Sequence, residues 1–349
     1  MSSASLVVTL VTAFGLSLGL TLGLTLSSSA AMAQSSTLDT VTARGALRCG
    51  VNVELAGFAR ANSLGEYSGF DVDVCRAVAS AIFNDSEAVE MIPLTSTDRF
   101  TAMQEGRIDV LARNTTWTLQ RNAEFGDFVG VNFYDGQGFM VPKRSGYRSA
   151  LELDNQPICV SRGTTSELNA ADFFIVSDMR YRPVYFDDEV DAYKAYVAGD
   201  CKALTTDRSA LASQRSEMNE PDAHVIMPEV ISKEPLGPLV PPDDSQWENI
   251  VRWTLNCMIN AEELGVSSTN IDTDTIGSTP SIRRLIGAEG DAGVQLGLDN
   301  QWCTRIIRQV GNFGESYDKH IGPDTAIGLP RGINALWTDG GLIYAPPVR

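Results

Sequence analysis

Histidine is nearly absent from this sequence: only His224 and His320 occur in 349 residues. That removes most of the supply of the commonest metal ligand and the commonest general acid or base. None of the six cysteines stands at zinc-finger spacing, so neither a metal site nor a cofactor is expected. Basic residues are also short. Against 44 Asp and Glu there are 27 Lys and Arg, a net charge of −17. Such a chain is a poor partner for nucleic acid or for an anionic membrane surface. No stretch after residue 33 is long and apolar enough to span a bilayer. The first 33 residues carry no charge at all.

Those 33 residues hold an apolar core from Leu6 to Leu26 and end in Ala31-Met32-Ala33. This is a signal-peptide pattern with a small-residue cleavage site, so residues 1–33 are expected to be removed and the mature chain to start near Gln34. The missing positive n-region and the length of the apolar run leave an uncleaved anchor as the alternative. No cysteine follows the run, which argues against a lipoprotein anchor. An exported chain also accounts for Cys49, Cys75, Cys159, Cys201, Cys257 and Cys303, since an even count in an oxidising compartment points to disulfides. The remaining length suits about two ordinary domains.

The mature chain is organised around residues 106–121, GRIDVLARNTTWTLQR. Gly106 stops a helix that begins near Asp98. Ile108, Val110 and Leu111 form the short apolar run of an inner strand. The strand ends in Asn114-Thr115-Thr116, with Arg121 just beyond. In open α/β sheets, ligands sit outside the carboxyl ends of strands, which is where this loop puts an amide, hydroxyls and a guanidinium. The pattern recurs. Residues 191–204, DAYKAYVAGDCKAL, align without gaps on residues 98–111, DRFTAMQEGRIDVL, and in that register Asp207 falls on Asn114. The two copies end in groups suited to opposite ends of a zwitterion.

Along the chain, ALRCGVNVEL (46–55) is expected to give the first strand and its loop, PICVSRGTTSELNAADFF (157–174) a strand, a turn and a helix, and 89–94 and 184–186 further strands. Helices are expected at 69–83, from a cap in residues 96–98 to Glu105, near 148–153, and near 208–216. Asp71 and Asp73 suit the positive N-terminus of their helix. The chain leaves one α/β domain near 140 and returns near 235 through extended passages. Two crossings make a hinge. The expected division is lobe 1 from 34–140 plus 236–349 and lobe 2 from 141–235, with residues 241–349 mostly helical. Six cysteines allow fifteen pairings. Cys159 with Cys201, both in strands of the second domain, and Cys49 with Cys75, on the first strand and the helix after it, are the expected bonds. Cys257 and Cys303 then remain, on two C-terminal helices that could pack, or as buried apolar thiols.

GFDVD (69–73), RFTAMQEGRIDVL (99–111), the Thr116–Arg121 loop, GTTSE (163–167) and the Asp207 strand tip together resemble the polar amino-acid-binding proteins of ABC importers. NTTWT, YDGQGFMV (134–141), ISKEPLGP (231–238) and YAPPVR resemble the general L-amino-acid-binding branch of that family. The resemblance covers nearly all of residues 38–349. It implies an α/β, two-lobed periplasmic-binding-protein fold of type II, with a two-crossing hinge and a helical C-terminal extension. It also implies a monomer in the periplasm that binds an L-amino acid and serves the permease subunits of an ABC transporter in the inner membrane.

Carried over position by position, Arg121 is similar to the family's α-carboxylate arginine. Thr116 and Asn114 fall where neighbouring carboxylate and amine contacts lie, and Thr165 in the turn of the second lobe that also touches the carboxylate. Asp207 matches the aspartate that holds the α-ammonium. Asn52 falls where relatives often carry an acid. Leu55 and Ser96 fall where tight relatives place aromatic rings, which implies a roomier pocket. Arg113 and Arg162 are further charges, either at the cleft or solvated. Some relatives on this fold are dehydratases, so the alternative is a periplasmic dehydratase-type enzyme. Such chemistry needs an acid or base beside the substrate carboxylate, and no histidine falls in a ligand loop.

Overall fold

The computed structural model describes residues 36–273 and 276–349. The expected signal peptide therefore lies outside the described residues. In chain order the first lobe starts with α1 (Thr37–Arg44), β1 (Leu47–Asn52), the hairpin β2 (Arg60–Ala61) and β3 (Tyr67–Ser68), α2 (Phe70–Phe83), β4 (Val89–Leu94), α3 (Asp98–Gln104), β5 (Val110–Leu111), α4 (Leu119–Phe125) and β6 (Asp127–Phe128). β7 (Phe133–Asp135) and β8 (Gln137–Pro142) carry the chain across. The second lobe adds β9 (Pro157–Ser161), α5 (Thr165–Val176), β10 (Arg182–Phe186), α6 (Glu189–Ala198), β11 (Ala203–Asp207), α7 (Arg208–Ser216) and β12 (His224–Ile226). The chain returns through β13 (Glu234–Leu236) and β14 (Leu239–Val240). It then forms α8 (Ser245–Glu263), α9 (Pro280–Leu285), α10 (Ala292–Gln295), α11 (Trp302–Gln309) and α12 (Phe313–His320).

Two five-stranded sheets result, in the orders β4-β1-β5-β14-β6 and β10-β9-β11-β8-β12. In each, the early strands are parallel and the strands nearest the crossings are antiparallel. The crossing strands β7 and β13 pair with each other, Asp135 opposite Glu234. This pair is the two-crossing hinge. The expected boundary at 140 falls inside β8, all of whose pairing is in the second sheet.

The second sheet shows the period of two that two covered faces impose. Phe139 and Val141 of β8, Ile158 of β9 and Ala203 of β11 enter one apolar cluster. Their neighbours Met140, Cys159 and Leu204 enter the cluster on the other face. The first lobe buries a larger core that also takes in Trp247, Ile250, Leu255 and Ile259 of α8 and Ile306 and Ile307 of α11. The helical extension is thus part of the first lobe's core. All three expected disulfides are present: Cys49–Cys75, Cys159–Cys201 and Cys257–Cys303. Cys201 lies just before β11 rather than within it.

The internal repeat is real in three dimensions. α3 ends at Gly106 (φ +65°) and α6 at Gly199 (φ +89°), and each leads into a strand with a parallel neighbour, β5 beside β1 and β11 beside β9. Three local expectations change. The segment near 148–153 is a single 3-10 turn, Ala150–Glu152. Asp98 takes its amide cap from Thr95 Oγ1, not from Ser96 or Thr97, because the Ser96 hydroxyl is engaged elsewhere. Asp71 and Asp73 do more than face a helix end. Asp71 accepts from the Asn114 amide, while Asp73 accepts from Ser316 and bonds His320 of the extension.

Candidate ligand site between the lobes

The carboxyl ends of β1, β4 and β5 in one lobe face those of β9 and β11 in the other. Arg121 comes from the start of α4. Thr118 caps that helix by accepting from the Arg121 amide, and Arg121 Nη1 donates to Thr116 O at 3.0 Å. The guanidinium lies over the Phe100 ring at 5.2 Å, and that ring stacks on Phe125. Arg121 is buried, and burial pushes its pKa down, opposed by the charges of Glu234 and Asp207. Among the described residues it forms no ion pair with Glu124 or Asp127.

Asp207 lies at the tip of β11 in the opposite lobe. It occupies the N-cap position of α7, yet its side chain caps nothing. The reason is Asp135. From the hinge strand, Asp135 Oδ2 accepts from the Ser209 amide at 3.0 Å and so serves the first turn of α7 in place of the residue next to it. The Asp207 carboxylate is left buried, with no hydrogen bond or ion pair to any described residue. Burial and the carboxylates of Asp135, Glu234 and Glu189 push its pKa well above the usual range, and Arg121 offsets only part of this. Asp135 itself is pushed up to about 6 by burial.

Thr116 and Thr165 meet across the lobes at 3.4 Å. Both hydroxyls donate to Oε2 of Glu234, at 2.6 and 2.9 Å, and Asn169 donates to its Oε1 at 2.7 Å. The hinge thus sends its own carboxylate to the hydroxyl pair. Asn114 sits at the tip of β5 with φ +30° and accepts from Asn52 Nδ2 at 3.1 Å. Asn52 also donates to Glu189 Oε2 at 3.3 Å, and Ser96 donates to Glu189 Oε1 at 2.9 Å. Glu189 belongs to the first turn of α6, so these bonds also cross between lobes. Burial pushes its carboxyl up, but Arg113, Arg99 and the two side-chain donors more than offset this and leave it below the ordinary value.

Leu55 is buried and lines a cavity of about 150 Å³ between the lobes, together with Glu189, Arg60, Tyr193 and Glu217. The structure therefore gathers Arg121, Asp207, Thr116, Asn114, Thr165, Asn52 and Ser96 where the lobes face each other, and places Leu55 in the adjoining cavity, which shares Glu189 with them. Of the two further charges, Arg113 enters the cleft and Arg162 stays on the surface beside Asp187. The sequence alone does not single out Glu189, Glu234, Asp135 or Arg99. Glu234 and Asp135 stand inside ISKEPLGP and YDGQGFMV, but nothing local marks either as reaching the cleft. Glu189 acquires its partners only through tertiary closure.

The model of the bacterial extracellular solute-binding proteins, family 3, matches residues 47–268. The general L-amino acid-binding periplasmic protein AapJ of Rhizobium johnstonii is 49% identical over 323 residues, 92% of this chain and 95% of that one. The glutamate/glutamine/aspartate/asparagine-binding protein BztA of Rhodobacter capsulatus is 51% identical, with the same coverage. Among solved structures, an ABC transporter periplasmic binding protein from Brucella ovis with glutathione bound superposes with a TM-score of 0.88 at 50% identity, over 90% of this chain and all of that one. With a matching family model across both sheets and such relatives along nearly the whole length, the chain belongs to family 3 of the bacterial extracellular solute-binding proteins.

Proposed function

We propose that this protein works in the periplasm as a monomer without a cofactor, with residues 1–33 removed on export. It captures L-amino acids between its lobes and hands them to the permease subunits of an ABC importer in the inner membrane. The names of its relatives support this. One observation carries the reading: a buried guanidinium, Arg121, and a buried, unpartnered carboxylate, Asp207, stand on opposite walls of one cleft. An amino acid is the smallest ligand that presents a carboxylate to one and an ammonium to the other.

In this reading the ligand docks first in lobe 1. Its α-carboxylate meets the fork of Arg121, which suits two parallel hydrogen bonds. Asn114 stands beside the amine. Closure about the β7–β13 pair, between the lobe of the first sheet with the C-terminal helices and the lobe of the second sheet, which includes all of β8, then brings Asp207 to the ammonium. A threonine hydroxyl has one proton to donate. Thr116 and Thr165 now give theirs to Glu234, so the ligand carboxylate gains them only by displacing Glu234. Arg121 is therefore the primary anchor. Asn52, Leu55 and Ser96 face the ligand's side chain. No observation favours the dehydratase alternative: the family binds solutes, and His224 and His320 pair with Tyr196 and Asp73, neither at the carboxyl end of a strand.

Calorimetry with several amino acids tests the clamp. Arg121→Lys keeps the charge and loses the fork, so affinity should fall for all ligands alike. Asp207→Asn should cost about 2–5 kcal/mol, the usual range for removing one member of a buried charge pair. Ligands without an α-amino group should bind the wild type weakly and lose less in the Asn variant. Wild-type affinity in Asp207→Asn would overturn the clamp.

A further inference from the structure

The side-chain end of the cleft holds an ion pair that spans the lobes. Arg113, just past β5, places Nη2 3.5 Å from Oε2 of Glu189 on α6. Each partner has other support. Arg113 Nε donates to Leu94 O at 2.8 Å. Glu189 holds Ser96 and Asn52 as donors. Arg113 nevertheless has spare capacity, since its Nη1 finds no hydrogen-bond partner among the described residues although the residue is 2% exposed. A buried donor left unmet is costly, and so is a buried charge stripped of its partner. On the far side of Glu189 lies the cavity lined by Leu55, Arg60, Tyr193 and Glu217, with room for a long side chain.

We propose that Arg113 and Glu189 form an exchangeable pair that accepts ligand side chains of either charge. This rests on the amino-acid reading above. An acidic or amide side chain places its oxygen on Arg113, while Glu189 keeps Ser96 and Asn52. A basic side chain reaches Glu189 and extends towards the cavity, while Arg113 keeps the Leu94 carbonyl. A short apolar side chain leaves the pair closed. In each charged case the ligand takes over one ion of the pair, and the displaced ion keeps its neutral hydrogen bonds, Ser96 and Asn52 on Glu189 or the Leu94 carbonyl on Arg113. A site with a single fixed charge would instead reject one sign of ligand.

The test is calorimetry on the full mature chain with L-alanine, L-glutamate and L-arginine as probes. Alanine reports the main-chain clamp alone, and each charged ligand is expressed relative to it. Wild type should bind all three. In Glu189→Gln the affinity for arginine relative to alanine should fall at least about tenfold, and that for glutamate should hold or rise. Arg113→Gln, with folding checked by melting, should shift the same ratios the other way. If both ratios stay constant in Glu189→Gln, the residue only latches the lobes and the proposal fails. A wild type that binds alanine and glutamate but not arginine overturns the exchange and leaves the amino-acid reading standing. A wild type that binds no amino acid overturns both.

Discussion

Asp207 owes its availability to Asp135, which serves the first turn of α7 and so leaves the neighbouring carboxylate unbonded. Asp207 holds its proton more tightly than an ordinary carboxylate, chiefly through burial. An arriving ammonium favours the ionised form. Binding of an amino acid, at a pH where Asp207 still holds its proton, should therefore release that proton. Calorimetry in buffers of different ionisation heat reads that release. It should vanish in Asp207→Asn, and buffer-independent heats in the wild type would contradict it. Asp71 makes a separate prediction. Burial pushes it up to about 6 despite the bonds from Asn114 and Asn132 and the charge of Arg113. Its folded pKa is raised, so its contribution to stability is fully present below the unfolded value near 3.8 and is lost as pH rises through about 6. Melting across that window should show wild type losing, relative to Asp71→Asn, up to roughly 3 kcal/mol. Parallel pH profiles would refute the assignment.

At the scale of elements, the helix–glycine–strand unit used twice is the best-defined device. Gly199 ends α6 at φ +89° with open space where a Cβ would go, so the penalty for a side chain there is purely conformational. Gly199→Ala should cost about 1–2 kcal/mol in urea denaturation, and no loss would mean that α6 can end another way. This unit was legible in the sequence because its determinants are local: apolar spacing, a stop residue, a polar strand tip. The strand 89–94 and the helix 208–216 were legible for the same reason. The disulfide scheme followed from placing cysteines on neighbouring elements. Glu189 and Glu234 were not legible, because each matters through partners more than sixty residues away in the other lobe or across the hinge. Ser96 shows the same limit from the other side. Its position read as a helix cap, and a tertiary acceptor outcompeted the backbone.

For the molecule as a whole, the lobes meet through polar contacts that water can replace, beside the small apolar contact that Ala210 and Ala212 of α7 make with the first lobe's core. Ser213 bonds Ala56 O, Arg60 pairs with Glu217, and Thr116 meets Thr165. Opening therefore exposes groups that solvent can satisfy. The disulfides lie within lobes and none joins one lobe to the other. With 26, 42 and 46 residues between partners, loop closure gives each bond about 3–4 kcal/mol. Their order along the chain has a further consequence. Each cysteine is bonded to the next one in sequence, first with second, third with fourth, fifth with sixth. A polypeptide that emerges amino-terminus first into an oxidising space meets its partners in that same order. Every bond can close before the next thiol arrives, so the native set is also the set that assembly in time favours. Reduced protein oxidised all at once, with six thiols competing, should scramble more than protein oxidised as it is threaded, which non-reducing peptide maps of the two products would reveal.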